Sequence, residues 1–411
     1  MPTLVKSELC CGCSACANKC AKGAIRMQPN EEGFLHPIID LGHCVECGVC
    51  ESVCPGLIIL DNRNPYNDVT FQPRTFIVQH KDNAIRYQST SGGAFTAIAE
   101  KVIRTGGVVF GAAMTKGMRV RHISVDTLSG LALFRNSKYV QSEIGESYKL
   151  ARSILNTGRI VCFSGTPCQV KGLKAYLGKE YDKLITVDVV CKSVPSPLIF
   201  SKYVAFKQHQ EGGGITDIVF RDKKRGFLYC TMAHYKSHED REKGKSVYRR
   251  GSESDEWLRL FLSGKISRNS CLYCPYQQAS ESVADFTLGD IWETGRSSFD
   301  DNKGTTKVNV RSEKAMLLLN DICTNIHCEE IPNNPLAHRQ NKVLSRRYPI
   351  YSHRDRLFRD AKELSAEDFF NEYAPYKGVV VAKNVMRYLL WRVGLQSTIR
   401  HLKHLIIHRK K

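Results

Sequence analysis

Residues Arg159 to Gly178 read RIVCFSGTPCQVKGLKAYLG. The apolar run RIVCFSG predicts a strand, and CQVKGLKAYLG predicts the helix that follows it. Cys168 stands at the turn between them, directly after Thr166 and Pro167. A thiol at a helix N-terminus leans toward thiolate. The same alternation continues on both sides. Upstream, TFIVQH, VVFGAAM and VRHISV predict strands, while SGGAFTAIAEKVIRTGG and ESYKLARSILNTG predict helices, the first opened and closed by glycines. Downstream, LITVDVVC predicts a strand that ends at Cys191 before the turn CKSVPS. Strands alternating with helices predict an α/β body. From Ile215 the strands ITDIVFRD and FLYCTMAHY are more polar and predict an antiparallel pair.

In an open α/β sheet, ligands gather at the carboxyl ends of strands. Cys168 and Cys191 both lie at such ends. Further on, SRNSCLYCPYQQASESVADFTLGDIWE holds Cys271 and Cys274, two residues apart. Such a pair grips one side of a metal or cluster, and a tetrahedral site or cubane needs four ligands. Cys168, Cys191, Cys271 and Cys274 make four, although spacing alone leaves their convergence open. A second feature is STSGGAFTAI, Ser89 to Ile98. Ser91, Gly92 and Gly93 at a helix start fit a cradle of N–H groups for a phosphate. They fit equally an N-cap with a tight turn.

The chain carries 17 cysteines, nine of them before residue 55. Cys10, Cys13, Cys16 and Cys20 have the spacing C-x2-C-x2-C-x3-C, and Cys44, Cys47, Cys50 and Cys54 repeat it, ending on Cys54-Pro55. This is the bacterial two-cluster ferredoxin run, in which the fourth cysteine crosses to the other cluster. One 4Fe–4S cluster is therefore assigned Cys10, Cys13, Cys16 and Cys54, and the other Cys44, Cys47, Cys50 and Cys20. Zinc sites favour pairs of cysteines over triplets with a trailing fourth. Cys11 is extra and is not expected to ligate. A unit this short buries little core, so bound clusters are expected to supply much of its folding energy.

At 411 residues the chain is long enough for two or three units. The expected organisation is a two-cluster ferredoxin-type domain over 1–60, a polar linker over 61–74, an α/β body over 75–331 and a helical basic region over 332–411; the whole is α/β (α+β overall). The start MPTLVKSELC lacks the apolar run of a secretory signal, and no stretch reads as a spanning helix. Many thiols in such a chain point to cytoplasmic metal or redox chemistry rather than a disulfide framework. The net charge is +19, but nine lysines and arginines and no acid lie from Tyr373 to the end. In that tail Val385, Met386, Leu389, Leu390 and Val393 recur at helical spacing, as do Ile399, Leu402, Leu405 and Ile406, with basic residues between. This fits a basic amphipathic segment lying peripherally at the inner face of a membrane, or helices packed on the body. The body lacks a basic strip interleaved with aromatics, so nucleic acid is not an expected partner. Lys223, Lys224 and Arg225 fit a solvated hairpin tip better than an anion site, and His234 and His238 read as surface residues.

The residues STSGGAFTAIAEKVI, SGTPCQVKGLK, CKSVPS and, further on, CPY with ADFTLGDIWE resemble the beta subunits of coenzyme F420-reducing hydrogenases and F420-linked formate dehydrogenases, a family that also holds reductases of 7-hydroxymethyl chlorophyll. The likeness runs from about Thr75 to Ile331, and Met1 to Gly56 is similar to the ferredoxin domain often fused in front. It implies FAD and a third 4Fe–4S cluster in the body. On it, Ser91, Gly92 and Gly93 correspond to the flavin-phosphate loop, Cys168, Cys191, Cys271 and Cys274 to the body cluster, and Asp290 to a motif near the redox centre. Lys192 and Ser193 depart from relatives that carry a glycine before the Val-Pro, and the family spans many substrates, so the likeness does not fix the small-molecule acceptor. The implied function is an iron–sulfur flavoprotein oxidoreductase joining a protein electron donor or acceptor to that substrate. The alternative is an electron-relay subunit without substrate chemistry of its own.

Overall fold

The structure, a computed structural model, describes residues 2–60, 71–224, 226–227, 230–237, 244–251, 253–277, 282–291, 301–331, 348–376, 378–393 and 395. The first unit holds the antiparallel hairpin β1 (Ile25–Pro29) and β2 (Leu35–Ile39), with the short helices α1 (Ala15–Lys19), α2 (Val49–Ser52) and α3 (Pro55–Leu60). The body contributes strands β3 (Arg74–His80), β4 (Val108–Met114), β5 (Val120–Val125), β6 (Val161–Gly165), β7 (Leu184–Val189), β8 (Gly213–Val219), β9 (Cys230–Ser237), β10 (Gly244–Arg250), β11 (Phe286–Asp290), β12 (Thr306–Val310) and β13 (Ile326–Glu330). Its helices are α4 (Asn83–Gln88), α5 (Ala94–Arg104), α6 (Ser147–Asn156), α7 (Pro167–Leu177), α8 (Pro197–Glu211), α9 (Glu256–Ser263), α10 (Asn269–Leu272) and α11 (Glu313–Asp321).

Eight strands form one mixed sheet in the order β13-β3-β12-β11-β7-β6-β4-β5. Its centre, β4-β6-β7-β11, is parallel, and both flanks are antiparallel. Parallel strands need cover on both faces, and alternate residues supply it. Val109, Cys162 and Ile185 meet Ala97, Ile98 and Val102 of α5 and Leu319 of α11. Val108, Phe110, Val161 and Phe163 meet Tyr148 and Ala151 of α6 and Val170 and Leu173 of α7. The predicted strands and helices of this region are thus present, including the polar antiparallel pair, which is part of a separate sheet, β10-β9-β8.

A second core gathers Phe200 and Tyr203 of α8, Trp257 of α9, and Leu357, Phe358, Phe369 and Phe370 from helices Arg354–Glu363 and Ala366–Tyr373. The early part of the C-terminal region is therefore body core. So is part of the first unit: Phe34 joins this core, while Cys13, Ala15 and Val53 join the core beside α7. Arg354 clasps Glu32 through both carboxylate oxygens at 2.6 and 2.5 Å, and Ser196 donates to the Glu32 carbonyl at 2.6 Å. Of the expected linker, residues 61–70 lie outside the described residues, and Arg74 already begins β3. His238 and Arg225 also lie outside them, as does the second apolar series of the tail, Ile399 to Ile406. Among the described residues no helix is long and apolar enough to cross a membrane.

Candidate functional site

The two cysteine runs of the first unit share one backbone. In the first, Gly12 and Ser14 flank the middle cysteine at φ 66° and 63°; in the second, Glu46 and Gly48 do so at 52° and 69°. Left-handed residues on either side of a cysteine turn successive N–H groups toward one point, a nest for an anion. Ser14 and Glu46 hold this conformation without the freedom of glycine, a strain that clusters at functional sites. Cys10, Cys13, Cys16 and Cys54 line one cavity, closed by the apolar Leu4 and Val5. Burial pushes Cys16 up to about 12, with Cys10, Cys54 and Cys50 adding to it. Burial also raises Cys54, and Cys10 beside it adds to the effect. Dry, mutually repelling thiols resist ionisation unless cationic iron takes the charge. The donor set therefore fits a cubane. Among the described residues no three His, Cys, Asp or Glu side chains close on a single ion; a cubane instead takes one thiolate per iron at the corners of a cage.

The second set is nearer the surface. Cys47 is exposed and Cys50 is buried beside it. Cys20 closes α1, donating its N–H to the Cys16 carbonyl, and Cys44 precedes α2 in an extended loop.

In the body, Thr166 and Gln169 form a capping box with Pro167 in the first turn of α7, which fixes Cys168 at the helix start and at the carboxyl end of β6. Cys191 follows β7. Burial raises the Cys191 thiol, and Cys271, Cys168 and Cys274 raise it further. Cys271 is pushed up to about 11 by burial, although the Val194 N–H at 3.4 Å pulls the other way, and Cys168 lies within electrostatic reach. The four cysteines that the sequence leaves scattered are thus neighbours, brought together by the ends of two parallel strands and by α10.

Cys11, set aside in the sequence, lies between the two groups. Its thiol meets both Cys13 and Cys168. Helix α7 comes this close because of Gly172: a Cβ there would stand 2.9 Å from the Cys13 Cβ and 3.0 Å from its sulfur. No cysteine spacing reports this contact, because it depends on how the first unit docks.

The glycine loop is bound into the sheet. Ser91 Oγ donates to the Thr305 carbonyl at 2.5 Å, Gly92 N donates to Thr306 Oγ1 at 2.8 Å, and the Gly92 carbonyl accepts from His80 N at 2.7 Å. Gly93, at φ 86°, starts α5 with no side-chain cap. Below the loop, Lys223 donates to the carbonyls of Arg86, Ser91 and Lys303. It is buried, not at a solvated tip as its sequence suggests, because the chain turns inward after β8 at Phe220 and Arg221. Burial, with Arg86 and Arg221 close by, pulls it down to about 7. Lys224 alone of that trio is described as exposed. Asp290, at the carboxyl end of β11, accepts from Arg221 Nη1 at 2.7 Å. Beside the loop, Thr90 and Ser137 share a hydrogen bond of 2.9 Å, and two buried polar atoms next to Ser137, Arg135 Nε and Asn136 Oδ1, have no partner among the described residues.

Two sets of ferredoxin-type cysteines docked on an α/β body define an iron–sulfur electron-transfer oxidoreductase. Residues 9–57 match the family of 4Fe-4S dicluster domains. Residues 158–334 match the C-terminal part of the coenzyme F420 hydrogenase/dehydrogenase beta subunits, and in that stretch the chain belongs to this family. The matched stretch holds all four body cysteines and Asp290 but begins after the Ser91–Gly93 loop. No curated protein matches the chain. Among solved structures it is similar to a chain of the xenon-derivatised F420-reducing [NiFe] hydrogenase complex from Methanosarcina barkeri, at 16% identity and a TM-score of 0.47, covering 69% of this chain and 92% of that one.

Proposed function

We propose that the protein is a flavin-dependent iron–sulfur oxidoreductase that exchanges electrons between a protein partner and a small acceptor of the coenzyme F420 kind. The observation that carries this reading is the approach of Cys168, Cys191, Cys271 and Cys274 to one another, next to the inner ferredoxin set through Cys11. These four would hold a third 4Fe–4S cluster. FAD would sit at the start of α5, its phosphates at the first-turn N–H groups, which no residue of the helix itself can satisfy. Arg135 and Asn136 support this position because they offer buried polar atoms beside Thr90 and Ser91. Bound flavin would supply the exchange between single electrons and a hydride equivalent. The chain's own part is to hold these groups in series and keep water from the inner ones, as the burial of Cys10, Cys13 and Cys50 does.

Anaerobic purification is expected to give about twelve irons and about one FAD per chain. With dithionite, the FAD-bound protein is expected to turn over a small two-electron acceptor. Full loading with no turnover of any acceptor would leave the chain an electron relay for a catalytic partner. On the partner side, Leu41, Val45 and Val49 are exposed around Cys47, the sort of apolar surface a transient electron-transfer partner covers.

The tail helix Gly378–Arg392 presents Val379, Val385, Met386 and Leu389 to solvent, while Val380 and the Lys383–Glu253 ion pair tie it to the body. Apolar residues facing out among basic ones favour a membrane interface over packing on the body. Chain cut after Tyr376 is expected to keep its iron but to stop sedimenting with anionic vesicles at low salt. If the full-length protein ignores such vesicles, the helix docks a partner instead.

A further inference from the structure

We propose that Arg268 is a positioning cation set between the inner ferredoxin-type cluster and the body cysteines, with Nη1 held for the sulfur of the inner cluster and its charge raising the reduction potentials on both sides. This rests on the cluster reading above.

Arg268 is 2% exposed, three residues before Cys271. Its backbone is fixed at both ends: its N–H donates to the Val194 carbonyl at 2.8 Å, and its carbonyl accepts from Cys271 N at 3.0 Å. The side chain crosses from the body into the first unit. Nε donates to the Cys10 carbonyl at 2.6 Å, and Nη2 donates to the Leu35 carbonyl at 3.0 Å and lies 2.9 Å from His36 Nε2. These bonds would suffice for a staple between units. Nη1 is different: it is buried and has no partner among the described residues. It lies beside Gly12, where a Cβ would stand 2.6 Å from it, in the loop between Cys10 and Cys13. The guanidinium also acts electrostatically on Cys168 and Cys271, and no carboxylate among the described residues pairs with it. A buried guanidinium without an anion is strongly disfavoured. A cubane with four thiolates is an anion with sulfur acceptors, and both its local charge and hydrogen bonds to its sulfurs set its potential. The loop conformation at Gly12 and the arginine are matched to each other: a side chain at Gly12 would displace Nη1.

The test is a potentiometric titration of the reconstituted full-length chain, followed by EPR, for wild type, R268Q and R268K. Signals are assigned by their loss in C47S (outer cluster) and in C271S/C274S (body cluster). In R268Q the oxidised-to-reduced ratio of the inner cluster at a fixed potential is expected to rise about tenfold, 59 mV for a one-electron couple. The body cluster should shift less in the same direction, and the outer cluster should not move. R268K keeps the charge but loses the fork, and should fall between the two. Unchanged potentials in fully loaded R268Q, or an outer cluster that shifts equally, would overturn the proposal. If R268Q loads no inner cluster, R268K decides: a wild-type potential there reduces Arg268 to a staple, and a lowered one supports the proposal. If wild type binds only about eight irons, the third-cluster reading fails, and the inner-cluster shift still judges Arg268.

Discussion

Serine at both Cys271 and Cys274 is expected to remove about four of roughly twelve irons and leave the other eight in place. A hydroxyl does not give up its proton as a thiol does, and two remaining thiolates, Cys168 and Cys191, cannot hold a cubane alone. The other eight ligands lie on loops whose left-handed residues, Gly12 with Ser14 and Glu46 with Gly48, set their geometry within the first unit. The risk to this separation is the contact of Cys11 with Cys13 and Cys168, which couples the two groups sterically. That contact does not involve α10, so the inner set should survive. Iron and sulfide per chain and the count of EPR signals check it. Loss of all iron, or of none, would sink the assignment of these two cysteines.

Much of this arrangement is legible in the sequence, for reasons that differ by residue. The ferredoxin runs are local: eight cysteines at fixed spacing specify their own geometry. The strand–helix alternation around Cys168 is legible because a parallel sheet covered on both faces demands apolar strands and amphipathic helices in turn. The gathering of Cys168 and Cys191 follows from the rule for strand ends. The docking of the first unit was not legible. Gly172 looks like an ordinary helix glycine, Arg268 like a solvated charge before a helix, and Cys11 like a surplus thiol. Their roles come from contacts between segments more than 90 residues apart, and no local pattern carries that information. Lys223 misled for the opposite reason: three consecutive basic residues suggest solvent, yet the first of them turns inward to three carbonyl oxygens.

The two readings of the Ser91–Gly93 loop are separable by stability. Alanine at Gly92 would place a Cβ 2.2 Å from the Val78 carbonyl oxygen and 2.6 Å from Thr306 N. Both atoms are backbone, and Val78 and Thr306 are register partners between β3 and β12, so neither can retreat without opening the sheet. Overpacking typically costs about 1–3 kcal/mol, and a clash with two strands belongs at or above the top of that range. At roughly 2–4 °C per kcal/mol for a body of this size, G92A is expected to lower the melting temperature by about 5–10 °C or more. S91A removes one buried hydrogen bond, to Thr305, and should cost about 1 kcal/mol. Flavin content then separates the roles. If S91A keeps most of its stability but loses FAD, the loop holds the phosphates. If S91A keeps FAD while G92A loses flavin and stability together, Gly92 serves the sheet and the flavin contact belongs to the start of α5. A G92A protein that melts like wild type would remove the packing explanation and return the glycine to the ligand.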